Sequence, residues 1–116
     1  MKSLQVLKDV FGYTTFRPGQ EKVIDLVLKG ENVLAVMPTG AGKSMCYQIP
    51  ALVNSGLTLV ISPLISLMKD QIDSLKQNGI NAAALNSATP QEEVNPILRQ
   101  AYEGKIKLLY VTPERL

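Results

Sequence analysis

The sequence predicts an α/β protein built on a parallel sheet with helices on both faces. Two observations predict it. Four short apolar runs, VLAVM (33–37), LTLVI (57–61), INAAALN (80–86) and KLLYVT (107–112), recur along the 116 residues, and stretches of helical period separate them. Strands that alternate with helices, rather than with tight hairpin turns, run parallel and connect by right-handed crossovers. Hydrophobic residues make up 46% of the chain and charged residues 19%, ordinary values for one globular domain or part of one.

Composition excludes several classes. No apolar run approaches the roughly 20 residues that span a bilayer, so no membrane association is expected. The start, MKSLQVLKDVFG, carries two lysines, Lys2 and Lys8, with Lys8 and Asp9 interrupting its apolar pattern, unlike a secretory leader. One cysteine, Cys46, cannot close an internal disulfide, and the lack of histidine argues against a zinc site. These features suit the cytoplasm. A net charge of +2, with acids interspersed among the bases, does not announce nucleic-acid binding, which usually shows as a basic face.

The elements follow in order. Leu4, Val6, Leu7 and Val10 fall near helical spacing, giving a short helix over 3–10 that stops before Gly12. FGYTTFRPGQ comes next. Pro18 suits the first turn of a helix, and Val23, Ile24, Val27 and Leu28 form its apolar stripe up to Gly30. Arg17 and Gln20 lie three apart near the start, with Tyr13 and Phe16 upstream. A glutamine amide donates and accepts at once, matching the N7 and N6 edge of adenine, and a tyrosine ring or guanidinium plane stacks on a base. Spacing alone nevertheless favours a plain helix start, with Phe11 and Phe16 as core and Arg17 and Gln20 in solvent.

The run Val33 to Met37 reads as a strand buried on both faces. Pro38, Thr39, Gly40, Ala41, Gly42, Lys43 and Ser44 follow it, and then the helical stretch MCYQIPALV. Strand, glycine-containing loop and helix form the context of a phosphate-binding loop, because a helix N-terminus aims N–H groups and a positive dipole end at an anion. In this reading Gly40 and Gly42 let the backbone curl around phosphates, Lys43 reaches the β and γ oxygens, and the Ser44 hydroxyl ligates magnesium. Met37 stands where the strict pattern has glycine. The loop specifies a nucleoside triphosphate, not which one or for what work.

Pro50 is expected to kink or end the helix near Ile49. Leu57 to Ile61 is a second strand with both faces buried, followed by Ser62, Pro63 and a helix whose inner face is Leu64, Met68, Ile72 and Leu75, closed by Asn78 and Gly79. Ser62 sits at a strand's C-terminal end, where open α/β sheets bind ligands. A hydroxyl beside free helix N–H groups suits a phosphate, although a serine that only caps the helix is the better reading of the sequence alone. Residues 80–86 give a weaker strand. QEEVNPILRQAYEG is a helix with Pro96 inside it, whole or in two pieces, ended by Gly104. Residues 107–112 form the fourth strand, and Pro113 opens another helix. Nearly all the acids fall on helix faces or turns and none directly ends an apolar strand, so the acidic magnesium-holding group that phosphate-loop hydrolysis needs is not encoded here.

Four blocks in this order carry a resemblance: FGYTTFRPGQ, MPTGAGKS, VISPLISLMKDQ and LLYVTPERL resemble motifs 0, I and Ia and the segment containing motif Ib of RecQ-family DNA helicases of superfamily 2, bacterial type. Met37 in place of the first loop glycine is what that family has. The resemblance implies that residues 1–116 are the N-terminal portion of a RecA-like ATP-binding lobe, with the acidic box, the second lobe and the zinc-binding and winged-helix regions missing. It implies adenine contacts by Gln20 and Arg17 beside a stacked Tyr13, with ATP phosphates and magnesium held by Met37 to Ser44 and Lys43 as the catalytic lysine. Single-stranded DNA would pass Ser62, Pro63 and Leu64 and then Thr112 and Pro113. The parent activity is ATP-driven 3′-to-5′ unwinding of DNA in bacterial repair and recombination, near the nucleoid; this stretch alone would be inactive. A non-enzymatic nucleotide-binding module, and another class of phosphate-loop protein such as a guanine-nucleotide enzyme or small-molecule kinase, are the alternatives. Oligomeric state is not legible.

Overall fold

The computed structural model describes residues 2–35 and 43–115. The chain folds as two compact units, residues 1–55 and 56–116, each with its own packing.

The first unit is helical. Helix α1 (Lys2–Asp9), α2 (Gln20–Leu28) and α3 (Met45–Val53) meet at Leu7, Ile24 and Ile49, one residue from each, all buried. Leu4, Val6, Phe11, Phe16, Leu28, Met45 and Val53 pack around them. Phe11 and Phe16 thus take the core role the sequence suggests, and Cys46 is buried as well. Helix α2 stops at Gly30, whose φ of +84° costs a glycine nothing. Its N–H donates to the Val27 carbonyl at 3.0 Å, and the Glu31 N–H donates to that of Leu26 at 3.1 Å, the paired bonds of a Schellman stop.

Three expectations change in this unit. Pro18 lies outside α2, which begins at Gln20. Pro50 lies inside α3, which runs on to Val53. A proline removes one N–H donor, but its own carbonyl still accepts the Asn54 N–H at 2.9 Å, and burial of Pro50 itself favours the continued helix. The expected strand at 33–37 is not formed over its described part: residues 33–35 join no ladder, and Leu34 is 93% exposed. An apolar run becomes a strand only opposite another strand, and none of the described strands pairs with it. Val36 and Met37 lie outside the described residues.

The second unit holds the sheet. Strands β1 (Thr58–Ile61), β2 (Ala82–Leu85) and β3 (Leu108–Val111) lie parallel in the order β1-β3-β2. Helix α4 (Ile65–Gln77) and α5 (Gln91–Tyr102) make the crossovers. The first steps over one position and the second steps back, so right-handed connections put the helices on opposite faces. The contacts agree: Leu85, Leu109 and Val111 pack with Val94 and Ile97 of α5. On the other face, the Tyr110 hydroxyl donates to Gln71 Oε1 of α4 at 2.8 Å.

Central β3 is buried throughout, which explains its uninterrupted apolar sequence. β1, expected to be buried on both faces, instead alternates, with Leu59 48% and Ile61 52% exposed. These two share the α5 face by register with Leu109 and Val111, but α5 packs on β2 and β3 residues and leaves them uncovered. On α4, Met68, Ile72 and Leu75 form the inner face as expected, while Leu64 precedes the helix and is exposed. Pro96 does not divide α5. Gly79 and Gly104 stop their helices with the same bond pair as Gly30, and residues 113–115 form one 3-10 turn.

Candidate functional site

In the first unit, the segment between α1 and α2 is folded by its own sequence. Pro18 and Gly19 are the central residues of a turn closed by the Gln20 N–H donating to the Arg17 carbonyl at 3.1 Å. Gly19 has φ 86° and ψ −19°, the third-residue geometry of a type II turn. The Arg17 N–H donates to Gln20 Oε1 at 2.8 Å. Gln20 is only 2% exposed, not a solvated helix-start residue, while Arg17 is exposed. That bond gives the buried amide oxygen a partner, which a buried polar group needs.

A cleft of about 490 Å³ opens here, lined by Leu7, Tyr13, Thr15, Phe16, Arg17, Gln20, Ser44 and Met45. Tyr13, Arg17 and Gln20 thus share one concavity with Ser44. The volume lies within the range of small-molecule pockets, and an aromatic and apolar lining with a few polar groups is their usual character. Sequence reasoning missed Thr15 and Met45. Thr15 lies between Tyr13 and Arg17, and Met45 follows the loop, so adjacency to the motifs was the available signal.

Met37, Pro38, Thr39, Gly40, Ala41 and Gly42 lie outside the described residues. Lys43 is exposed and Ser44 half-buried. Ser44 precedes α3 and makes no side-chain cap bond, so its hydroxyl is not spent on the helix. The Cys46 and Gln48 N–H groups donate to the Lys43 and Ser44 carbonyls at 3.0 Å each, starting the helix directly behind the loop sequence. Burial pushes the Cys46 thiol above its ordinary value, the reverse of an activated thiolate.

In the second unit, ladder register brings Ser62, Asn86 and Thr112 together just past the C-terminal ends of the three strands. The Ser62 N–H donates to the Val111 carbonyl at 3.1 Å and the Thr112 N–H to that of Leu85 at 3.3 Å. The Ser62 hydroxyl accepts the Leu64 N–H at 3.2 Å, a local turn bond and not a cap of α4. Pro63, Leu64 and Pro113 are exposed. Thr112 is fully buried, and its hydroxyl has no partner among the described residues. Asn86, which sequence reasoning passed over, accepts the Ala88 N–H at 2.8 Å through Oδ1. Its own N–H donates to Thr89 Oγ1 at 3.0 Å. Thr89 in turn donates to the Ala84 carbonyl at 3.2 Å, satisfying an outward-facing group of edge strand β2. Among the described residues no group of three or more acids or cysteines is placed to hold a metal, and no helix is long and apolar enough to cross a membrane.

A parallel sheet with one crossover helix on each face defines an α/β protein. Residues 17–116 match the DEAD/DEAH box helicase family, and the chain belongs to it. It is 58% identical over 114 residues, 98% of the chain, to the ATP-dependent DNA helicase RecQ of Haemophilus influenzae. It is 53% identical over 116 residues to that of Bacillus subtilis. The chain spans 18% of the length of the first and 20% of the second. A crystal structure described as a hypothetical ATP-dependent RNA helicase from Sulfolobus tokodaii matches 98% of the chain and 34% of its own, with a TM-score of 0.77 and 26% identity.

Proposed function

We propose that residues 1–116 are the N-terminal portion of the ATP-binding lobe of a RecQ-type DNA helicase, a cytoplasmic, nucleoid-associated bacterial enzyme that couples ATP hydrolysis to 3′-to-5′ DNA unwinding in repair and recombination. The observation that carries the reading is the cleft joining Tyr13, Arg17 and Gln20 to Ser44, next to Lys43 at the end of a phosphate-loop sequence. Tyr13 and the Arg17 guanidinium offer flat faces to adenine. Gln20 offers a donor and an acceptor to its N7 and N6 edge. The loop from Met37 to Gly42 and the Lys43 ammonium hold the phosphates, and Lys43 offsets charge that develops on the γ-phosphoryl oxygens.

The uncapped Ser44 hydroxyl fits a magnesium ligand; the ion would neutralise phosphate charge there. Single-stranded or duplex DNA would run over Ser62, Pro63, Leu64 and Pro113, with the buried Thr112 supporting that edge from below; contacts at such edges go largely to phosphates. Because the acids of the chain lie on helix faces and turns, water activation belongs to the remainder of the enzyme, and the chain alone is expected to bind nucleotide without appreciable DNA-stimulated turnover.

The test is competition of ATP and GTP against a fluorescent adenine nucleotide. ATP is expected to win, with the preference lost in Gln20→Ala and binding lost in Lys43→Ala. Equal competition by GTP would overturn the adenine assignment, and substantial DNA-stimulated hydrolysis by the chain alone would overturn the division of labour.

A further inference from the structure

We infer that Gly12 is a positioning residue for the base: its left-handed backbone stops α1 and hangs the Tyr13 ring at the cleft. The inference rests on the adenine reading of the cleft and adds to it. The Gly12 N–H donates to the Lys8 carbonyl and the Tyr13 N–H to the Leu7 carbonyl, each at 3.2 Å, so the end of α1 holds the Tyr13 backbone. Leu7 is itself fixed. It is 1% exposed, meets Ile24 and Ile49 at the centre of the core, and lines the same cleft as Tyr13. Phe11 and Phe16 pack against that core from either side of the segment, while Tyr13 between them is 49% exposed. The segment is thus an arch pinned at both feet, with the ring on its span.

Gly12 sets where that span points. Its φ is +78°, a conformation that strains a residue with a β-carbon and costs glycine nothing. A β-carbon built there meets no heavy atom of the described residues within 4 Å, so a substitution is opposed by backbone strain and not by crowding. Relief of that strain turns the chain at residue 12, breaks the Tyr13 bond to Leu7 and swings the ring away from the cleft. A ring held in place before binding stacks on a base without the entropy cost of being ordered. Stacking of a base on an aromatic side chain is worth roughly five- to hundredfold in affinity, and the share that needs a fixed ring depends on Gly12. In the same reading the phosphates are held by the loop and Lys43, so their binding does not pass through this arch.

The experiment measures the base increment, the ratio of the dissociation constants of ribose 5′-triphosphate, which lacks the base, and ATP. The proteins are the wild type, Gly12→Ala, Gly12→Asn, Tyr13→Ala and the Gly12→Ala, Tyr13→Ala double variant, with far-UV circular dichroism to establish folding. Gly12→Ala is expected to lower the increment roughly five- to thirty-fold, the population shift that left-handed strain produces, with ribose triphosphate affinity unchanged. Gly12→Asn should retain the increment within about threefold, because asparagine visits that conformation. Tyr13→Ala should lower it, and adding Gly12→Ala should lower it no further. An unchanged increment in a folded Gly12→Ala would overturn the positioning role and leave the adenine reading standing. Equal losses in Gly12→Ala and Gly12→Asn, or a further loss in the double variant, would do the same. If Gly12→Ala does not fold, the wild type decides. Because coupling is reciprocal, ATP should slow exchange of the Tyr13 amide more than ribose triphosphate does, and equal protection would overturn the inference. A wild type that binds ribose triphosphate as tightly as ATP would remove the adenine reading and this inference together.

Discussion

Replacing Thr112 by valine is expected to stabilise the protein. The Thr112 side chain is 0% exposed, and its Oγ1 has no hydrogen-bond partner among the described residues. A hydroxyl taken from water without a replacement bond costs about 1–3 kcal/mol by mutational measures. Valine keeps the branched shape and puts a methyl group where the hydroxyl was, so no cavity opens and the penalty is relieved. Its slightly greater strand preference acts in the same direction at this residue, which extends the β3 ladder through its N–H bond to Leu85.

The expected gain is ~1–2 kcal/mol. With a urea dependence of ~1.5–2 kcal/mol per molar, that moves the midpoint up by roughly 0.5–1 M. The chain has no tryptophan, so the assay is urea unfolding followed by circular dichroism at the helix band. Thr112→Ser is the control: it keeps the hydroxyl, loses a buried methyl, and should cost about 1 kcal/mol. If Thr112→Val proves less stable than the wild type, the hydroxyl has a partner in solution and the reasoning fails.

Other predictions follow from the same packing. Leu75→Ala removes a side chain that is 1% exposed on the inner face of α4 and should cost ~2–5 kcal/mol; a urea midpoint within error of wild type would contradict that burial. Tyr110→Phe deletes the 2.8 Å bond to Gln71 and should cost about 1 kcal/mol, which a double-mutant cycle with Gln71→Ala would attribute to the pair. The buried Cys46 thiol is held neutral above its ordinary value of 9.0 by desolvation. The unfolded thiol therefore ionises first as pH rises, so this contribution to stability is present below about pH 9 and is lost as pH climbs through the folded value. Wild type should lose more stability between pH 8 and 10 than Cys46→Ala does, and equal losses would refute the assignment.

Local chemistry made much of this protein legible in one dimension. The helix over 20–28 follows from its apolar stripe, Gly30, Gly79 and Gly104 each stop a helix because glycine reaches that conformation without strain, and LLYV within KLLYVT became the fully buried central strand. A phosphate-loop sequence could be proposed because its glycines, lysine and serine sit at fixed spacing, although residues 36–42 lie outside the described residues. The misses concern relations between distant residues. Val33 to Ala35 have strand character, but pairing needs a neighbour, and hydropathy does not supply one. Leu59 and Ile61 looked buried because apolar runs do not report which helix covers which strand. Pro50 and Pro96 looked like breaks because the local rule omits the packing that compensates for one lost bond.

The candidate site divides the same way. Sequence by itself determined the residue types: a donor-acceptor amide at 20, flat faces at 13 and 17, and a lysine and hydroxyl at 43 and 44. Only the tertiary structure decided that Gln20 is buried and tied to the Arg17 backbone, that Thr15 and Met45 complete the cleft, and that Thr112 lies inside while Pro113 beside it lies outside. Composition and spacing carry chemistry and local conformation, whereas burial and orientation arise from contacts between segments far apart in the chain, such as α1 with α3 or β1 with β3.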